Sequence, residues 1–197
     1  MNKVNIEGLD ALEKAIETLK TGGIVMHPTE TCYGFAADIF NEKALKKLYE
    51  LKGREFNKPV SILVSSFGMA NEYGVFSEKA FEIANKYWPG PLSIVVPRTR
   101  NLPDHFNPGE KFVSIRFSSN DFCIGMIEEF GRPVTTTSAN IAGNEPLYEV
   151  DLSQFGKMSD EINLVVNGGE INSVESSTIV KISGDDVEVL RQGEICV

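Results

Sequence analysis

Apolar residues in the first quarter of the chain recur at helical spacing on either side of one short apolar run. Leucine and isoleucine repeat every three or four residues over 9–19, and Gly22-Gly23 follows, which predicts an amphipathic helix that ends there. Residues 24–27 are apolar up to His27, and Pro28 follows, so we expect a short buried strand. Apolar residues again recur every three or four positions over residues 44–51. This region therefore predicts a helix, a strand and a second helix.

The rest of the chain continues to alternate between helical periodicity and apolar runs. Helices are predicted over 67–73, 77–88 and 120–130, and strands over 60–64, 92–96, 112–117, 134–137, 164–166, 177–182 and 187–190. This alternation predicts an α/β fold, a twisted sheet with flanking helices. The last strands have no helix between them, so we expect the sheet to be mixed, with parallel and antiparallel pairs. Residues 141–157 show no clear period and are predicted to form a flexible loop.

Length and charge narrow the classes of function. The 197 residues contain no linker-like stretch, and we expect a single domain over 1–197. The net charge is −9, with 19 basic and 28 acidic residues, which argues against a protein that coats nucleic acid through many phosphate contacts but leaves room for a locally positive pocket. No apolar run approaches the roughly 20 residues of a membrane span, and no signal peptide is recognisable. We therefore expect a cytoplasmic protein with no membrane partner.

The composition offers little for metal or organic cofactor chemistry. Three scattered cysteines and two distant histidines, His27 and His105, match neither a disulfide framework nor a zinc-binding spacing. No Walker A, G-x-G-x-x-G, H-E-x-x-H or G-x-S-x-G sequence occurs. We therefore expect no zinc and no organic cofactor, and we assign no metal-binding side chains.

Three cations gather in one short stretch between a predicted helix and a predicted strand. Lys52, Arg54 and Lys58 lie within residues 52–59, which read KGREFNKP. Cations at a helix end also complement the negative pole of the helix dipole, so a structural role is an alternative. The dipole does not explain why a cation returns at Lys58, after the turn. Three cations on one loop suit a polyphosphate, because lysine supplies point charge and arginine a planar fork.

Hydroxyl-rich segments flank several of the predicted strands. They are residues 28–34 (PTETCYG), 133–143 (PVTTTSANIAG) and 174–180 (VESSTIV), and the last is followed by residues 190–193 (LRQG), an arginine before a glycine turn. Ligands of open α/β sheets bind where strands end, although each segment alone also fits an ordinary turn, cap or hairpin. Arg116 lies inside a predicted apolar strand, where a buried charge is costly unless it is paired with a carboxylate or binds an anion; the alternative is an edge strand from which Arg116 points to solvent.

Taken together and in this order, the segments resemble the YrdC-like family, whose main members are threonylcarbamoyl-AMP synthases. The resemblance covers roughly residues 5–193 and depends most on a lysine-x-arginine motif at Lys52 and Arg54 with a serine-x-asparagine motif at Ser138 and Asn140. It implies an open, twisted mixed sheet with helices packed on it and a concave, positively charged cleft. The match is to the short, single-domain type of the family.

The resemblance also implies a reaction and its partners. A nucleotidyltransferase of this type, an L-threonylcarbamoyladenylate synthase, joins L-threonine, bicarbonate and ATP into threonylcarbamoyl-adenylate and pyrophosphate. This is the first step of the threonylcarbamoyladenosine modification of tRNA. Mg²⁺ bound to ATP is the expected cofactor. A downstream threonylcarbamoyl transferase complex would use the product, so contact with tRNA would be indirect.

Positions that match the family motifs imply two groups of binding residues. Those for L-threonine are Thr31, Arg116, Thr136 and Ser177, with Arg116 on the carboxylate. Those for the nucleotide and its phosphates are Lys52, Arg54, Lys58, Ser138, Asn140 and Arg191. Adenylate formation depends on positioning and on cations that neutralise developing charge. We therefore assign no acid, base or nucleophile, and we expect Lys52 and Arg54 to act electrostatically.

Three positions depart from the family pattern. Leu63 stands where some members offer a histidine to the threonine pocket, Phe112 where others have a small hydroxyl residue, and Lys58 where some relatives have asparagine. One alternative is therefore a non-catalytic or differently specific paralogue that binds RNA or a nucleotide. A second is a carbamoyl-adenylate site like that of hydrogenase maturation proteins. It is less favoured because the zinc-finger and acylphosphatase-like modules that accompany that domain are missing from the sequence.

Overall fold

The computed structural model describes residues 2–55, 58–172 and 175–197. Phe56 and Asn57 of the cationic stretch and Val174 of a hydroxyl-rich segment lie outside the described residues. The helices are α1 (Ala11–Lys20), α2 (Glu42–Leu51), α3 (Phe67–Tyr73), α4 (Glu78–Tyr87) and α5 (Asp121–Phe130), with a 3-10 helix at Ser153–Glu161. The strands are β1 (Asn2–Asn5), β2 (Val25–Pro28), β3 (Tyr33–Ala36), β4 (Ser61–Leu63), β5 (Leu92–Pro97), β6 (Phe112–Arg116), β7 (Val134–Ser138), β8 (Leu164–Asn167), β9 (Thr178–Ser183) and β10 (Asp186–Arg191).

In the described part of the chain, ten strands form one sheet in the order β1-β8-β2-β3-β7-β4-β6-β5-β9-β10. The pairs β1–β8, β8–β2, β4–β6 and β5–β9 are parallel. The pairs β2–β3, β3–β7, β7–β4, β6–β5 and β9–β10 are antiparallel. The prediction of a mixed sheet with flanking helices is confirmed.

Alternating side chains divide the sheet into two faces, and apolar clusters cover both. On the first face, Leu63 and Val134 pack with residues of α1 and α5. On the second face, Ile62 and Ile115 pack with residues of α2, α3 and α4. Neighbouring residues such as Ile62 and Leu63 therefore contribute to opposite layers, as the period of a strand requires.

The first face changes from a covered core to an open cleft within single strands. On β4, Leu63 is fully buried in the cluster with α5, whereas Ser61, two residues earlier on the same face, lines a cavity. On β7, Val134 is likewise buried and Thr136 lines the same cavity. The polar residues of these strands therefore form a surface beside the part of the face that α5 covers.

Two strands are not predicted by the hydrophobic pattern. β1 consists mostly of exposed polar residues and is a strand because it pairs with β8. β3 is fully buried and forms a hairpin with β2, so Tyr33 and Gly34 belong to a strand and not to the exit loop that we predicted. The pattern missed β3 because Gly34 interrupts a run of only four residues.

The prediction of a loose loop over residues 141–157 is wrong in part. The Tyr33 N–H donates to Leu147 O at 2.8 Å, and the Leu147 N–H donates to Ala139 O at 3.3 Å. The 3-10 helix begins at Ser153, and Phe155 is buried against the core. The apolar residues that anchor this segment follow neither a helical nor a strand period, so the sequence pattern did not reveal them.

Candidate active site

Two adjoining cavities open along the cleft. The first, which we call the Arg116 cavity, has a volume of about 290 Å³ and includes Thr31, Cys32, Ser61, Ser93, Arg116, Thr136, Ser177, Ile179 and Arg191 in its lining. The second, the Lys52 cavity, has a volume of about 320 Å³ and includes Lys52, Gly53, Glu55, Lys58, Asn140, Ala142 and Gly143. Arg54, Thr137 and Ser138 line both cavities. The two spaces therefore share a wall, and together they have the size of a small-molecule binding site.

A row of opposed residues forms the floor of the Arg116 cavity. Arg116 of β6 lies opposite Ser93 of β5, which lies opposite Ile179 of β9. Ile179 in turn lies opposite Arg191 of β10. Directly opposed residues point to the same face, and adjacent strands are about 4.8 Å apart. The row therefore places an arginine on each side of a short surface made by a hydroxyl and an apolar side chain.

Arg116 is nearly fully buried, at 7% exposure, and is held from one side. Its Nη2 donates to Thr31 Oγ1 at 2.8 Å and lies 3.1 Å from Glu30 Oε1. Its buried Nε has no hydrogen-bond partner among the described residues. An oriented guanidinium with an unused N–H group can bind an anion such as a carboxylate.

Arg191 forms the opposite wall of the same cavity. Its Nε and Nη2 donate to Ser177 O at 2.9 and 2.7 Å, and Nη2 also donates to Ser177 Oγ at 2.8 Å. Partial desolvation and the charge of Arg116 lower the pKa of Arg191. The two arginines are thus close enough to concentrate positive potential between them.

The end of α2 delivers the cations of the Lys52 cavity. Gly53 has a left-handed backbone with φ of 56°, a conformation that favours glycine. The Gly53 N–H donates to Glu50 O and the Arg54 N–H donates to Tyr49 O, which is the Schellman pattern of a helix end. At this turn Lys52 is buried, whereas Arg54 is partly exposed and lies at the wall that the two cavities share.

Lys52 is 3% exposed and binds the turn that follows β7. Its Nζ donates to Ser138 O and to the O and Oδ1 atoms of Asn140, the last two at 3.0 and 2.9 Å. Three acceptors use all three N–H groups of a charged amine. Burial and the nearby charge of Arg54 lower the pKa of Lys52 to about 7. Lys52 therefore organises the turn with its hydrogen bonds and reaches a ligand through its charge.

The other two cations of this cavity are less constrained. Arg54 Nη2 donates to Pro59 O at 2.8 Å, and its Nε has no hydrogen-bond partner among the described residues. Lys58 is exposed at the rim. Within residues 2–55, 58–172 and 175–197, no carboxylate forms an ion pair with Lys52, Arg54 or Lys58. Three cations against the single carboxylate of Glu55 in the cavity lining, none of them in an ion pair within those ranges, favour a polyanionic ligand.

Comparisons with known proteins agree with this geometry. The family model Sua5_yciO_yrdC, described as "Telomere recombination", matches residues 17–193. The chain belongs to this family. The YrdC-like resemblance read from the motifs is thus confirmed.

Individual relatives of the family support the same assignment. A relative from Methanocaldococcus jannaschii is 35% identical over 189 residues, 93% of this chain and 87% of the relative. The threonylcarbamoyl-AMP synthase of Pyrococcus abyssi is 31% identical over 182 residues, 89% of this chain and 52% of that protein. The crystal structure of P. abyssi Sua5 complexed with L-threonine has a TM-score of 0.86 at 28% identity and covers 98% of this chain and 57% of that chain. This chain therefore spans about half the length of the P. abyssi protein.

The residues predicted from the family motifs all line one or both cavities. The group predicted for threonine lies together in the Arg116 cavity: Thr31, Arg116, Thr136 and Ser177. The group predicted for the nucleotide lines the Lys52 cavity, with one exception: Lys52, Arg54, Lys58, Ser138 and Asn140. The exception is Arg191, which lies beside the threonine group. The separate roles of these residues stay predictions.

Sequence reasoning missed several residues of the family's cleft. Ser61 and Ser93 line the Arg116 cavity, and Ser61 Oγ donates to Ser114 Oγ at 2.7 Å. A serine isolated within an apolar strand was the available signal, because such a hydroxyl needs a partner or a polar surface. Glu30 gave no comparable signal, since its pairing with Arg116 depends on tertiary structure.

The positions that depart from the family pattern differ in how close they are to the cleft. Leu63 is fully buried in the apolar cluster with α5 and offers no polar group. Phe112 does not line either cavity, and Lys181 Nζ lies 4.6 Å from its ring centroid. Lys58 lines the Lys52 cavity and adds a cation there.

The remaining predictions concern histidines, metals and membranes. His27 is fully buried at the end of β2, with a pKa lowered to about 4 by burial. His105 Nε2 lies 3.1 Å from Ile39 O. Among the described residues, no three side chains of histidine, cysteine, aspartate or glutamate are grouped to hold a metal ion. In that same part of the chain no helix has the length and apolar character of a membrane span.

Proposed function

We propose that this chain is a threonylcarbamoyl-AMP synthase that uses L-threonine, bicarbonate and ATP. The observation that carries the proposal is the pairing of two different cavities across one wall. The Arg116 cavity offers an oriented guanidinium beside hydroxyl groups, and the Lys52 cavity offers cations without carboxylate partners in the described structure. This arrangement suits an amino acid next to a triphosphate.

The Arg116 cavity supplies the contacts for the amino acid. The Arg116 guanidinium, which lines this cavity, would bind the threonine carboxylate. Thr31, Thr136 and Ser177 supply hydroxyl groups around the same space. A bound amino acid held in this way presents its amine to bicarbonate: the new N–C bond forms, a C–O bond of bicarbonate breaks, and water is released. The oxygen of the resulting carbamate then faces the shared wall.

The Lys52 cavity supplies charge for the transfer to the α-phosphate. A carbamate oxygen attacks the α-phosphorus, the bond to the bridging oxygen breaks, and pyrophosphate leaves with its electron pair. Arg54 and Lys58 would bind the phosphates directly, whereas Lys52 would act through its charge and through the Ser138–Asn140 turn. Such a reaction is accelerated by positioning and by neutralisation of developing charge, so it needs no protein nucleophile.

Mg²⁺ is expected to arrive with ATP and not to occupy a site built by the protein. The described residues contain no cluster of metal-binding side chains, and the Lys52 cavity is lined mainly by cations and small polar groups. These donors do not fit a resident metal, so the phosphate oxygens would hold the ion. We further propose that the protein acts in the cytoplasm, with a downstream transferase complex as the user of its product.

A turnover assay tests the proposed function. Purified protein is incubated with labelled L-threonine, bicarbonate and Mg-ATP, and both pyrophosphate and the labelled adenylate are measured. We expect pyrophosphate release that requires threonine and bicarbonate. Release that is absent, or equal with and without threonine, would refute the proposal. Salt-sensitive RNA binding without turnover would instead support a non-catalytic paralogue.

A further inference from the structure

Glu30 is a largely buried carboxylate directly behind the arginine of the Arg116 cavity. Its Oε1 lies 3.1 Å from Arg116 Nη2, and its side chain is 17% exposed. Glu30 is not part of the lining of either cavity. It therefore touches the candidate amino-acid site only through Arg116.

The Glu30 carboxylate is itself fixed by the start of a helix. The buried Ser118 hydroxyl donates to Glu30 Oε2 and accepts the Asn120 N–H at 3.2 Å. The Asn120 side chain caps α5 by accepting from the backbone of Phe122 and Cys123. Hydrogen bonds thus connect the start of α5, through Ser118, to Glu30, and an ion pair connects Glu30 to Arg116.

This ion pair sets Arg116 apart from the other cations of the cleft. In the described part of the chain, Lys52, Arg54, Lys58 and Arg191 form no ion pair with a carboxylate. The negative charge of Glu30 weakens the attraction of Arg116 for an anion. Glu30 therefore does not increase the positive potential of the cavity. It does restrict a long side chain that otherwise has large rotamer freedom. Nη2 is then held by a hydrogen bond to Thr31 and by the ion pair with Glu30, and Nε stays without a hydrogen-bond partner.

We propose that Glu30 is a positioning residue for amino-acid binding, which holds the Arg116 guanidinium so that its free N–H groups meet the substrate carboxylate. This inference rests on the proposed function and extends it, because it places a determinant of threonine affinity outside the cavity lining. Ser118 supports Glu30 from behind and shares the role to a smaller extent.

A graded series of variants tests this role. Glu30→Met removes the charge and the acceptor at similar volume, Glu30→Gln restores a neutral acceptor, and Ser118→Ala removes only the support. Calorimetry with L-threonine should show affinity reduced about tenfold in Glu30→Met and about threefold in the other two, the scale of one charge-assisted contact. Affinity for Mg-ATP should stay within about twofold. Glu129→Gln, an exposed carboxylate on α5, is the matched control and should behave as wild type.

An NMR measurement reports on the positioning itself. The ¹H–¹⁵N signal of Arg116 Nε, identified by its loss in Arg116→Lys, should be sharp in the wild type and broadened or shifted in Glu30→Met. Wild-type threonine affinity together with an unchanged Arg116 signal in Glu30→Met and Glu30→Gln would overturn the inference. An equal loss of threonine and ATP affinity would also overturn it, since that pattern indicates general damage. A wild-type protein that binds no threonine would refute the proposed function, while the Arg116 signal would still decide whether Glu30 positions the arginine.

Discussion

The two cavities of the cleft hold their cations in different ways. Arg116 lies on a central strand and is paired with Glu30, whereas Lys52 and Arg54 come from a helix end and have no carboxylate partner among the described residues. A paired cation has a defined orientation and less net charge, which suits one small carboxylate. Unpaired cations give a stronger potential, which suits a triphosphate. Orientation and charge are thus supplied by separate parts of one cleft.

The two cavities also differ in the structure beneath them. The floor of the Arg116 cavity is a row of residues on paired strands, whose positions are fixed by the register of the sheet. The Lys52 cavity is built from a helix end and the turn after β7, which are joined by the Lys52 amine and by a backbone hydrogen bond from Ala142 N–H to Lys52 O at 2.8 Å. The second cavity therefore depends on one residue to a degree that the first does not.

Loss of the Lys52 amine should have the largest effect. Lys52→Met removes the ammonium donor of three acceptors, of which Ser138 O and Asn140 Oδ1 keep another donor and Asn140 O has none in the described structure, and it removes a cation from the phosphate side. We expect the free energy of unfolding to fall by about 3 kcal/mol, the scale of losing hydrogen bonds to a charged group and leaving one buried acceptor unsatisfied. We expect kcat/KM for ATP to fall about a hundredfold. Chemical denaturation and steady-state kinetics measure the two effects.

The exposed Lys47 of α2 provides the control for that variant. Lys47→Met should change stability by less than about 0.5 kcal/mol and leave turnover at the wild-type rate. If Lys52→Met were as stable and as active as Lys47→Met, the cavity would not depend on this amine.

A smaller effect should appear in the pH dependence of ATP binding. Burial lowers the pKa of Lys52 from 10.5 to about 7, so the free protein loses this proton as pH rises through that value. A bound triphosphate favours the ammonium form, so ATP binding above pH 7 takes up a proton. ATP affinity should therefore fall by about tenfold between about pH 6.5 and 8.5. Calorimetry in two buffers of different ionisation enthalpy measures the proton uptake, which should vanish in Lys52→Met.

The lowered pKa of Lys52 also makes the stability of the free protein depend on pH. A lysine whose folded pKa is lowered makes its stabilising contribution above its ordinary pKa of 10.5, and this contribution is lost as pH falls through about 7. The difference in unfolding free energy between wild type and Lys52→Met should accordingly grow as pH rises from 7 towards 10. A constant difference over that range would show that Lys52 does not titrate there.

Most of the fold could be predicted because its strands and helices bury one side or both. Apolar runs located the central strands such as β5 and β6, and leucine spacing located α1 and α2. β1 could not be predicted, because its exposed polar residues are held only by pairing with β8. The packing of residues 141–157 also depends on tertiary contacts, such as that between Leu147 and Tyr33, and not on a local period.

The candidate site was predictable in its residue types but not in its pairings. Motifs brought Arg54, Arg116 and Ser138 to attention, and the structure brings all three to the lining of one cavity. The order of strands across the sheet, which sequence spacing does not contain, places Arg191 beside Arg116 and not with Lys52. The ion pair of Glu30 with Arg116 is hidden in the sequence for the same reason.

The central claim is that one wall separates an amino-acid site from a phosphate site. Calorimetry with L-threonine and with Mg-ATP, each on Arg116→Ala and Arg54→Ala, tests it most directly. Arg116→Ala should lose at least about tenfold in threonine affinity and keep ATP affinity, Arg54→Ala should show the reverse, and both should lose at least about tenfold in turnover. If both variants lost affinity for the same ligand only, or turned over at the wild-type rate while folded, the division of the cleft would be contradicted.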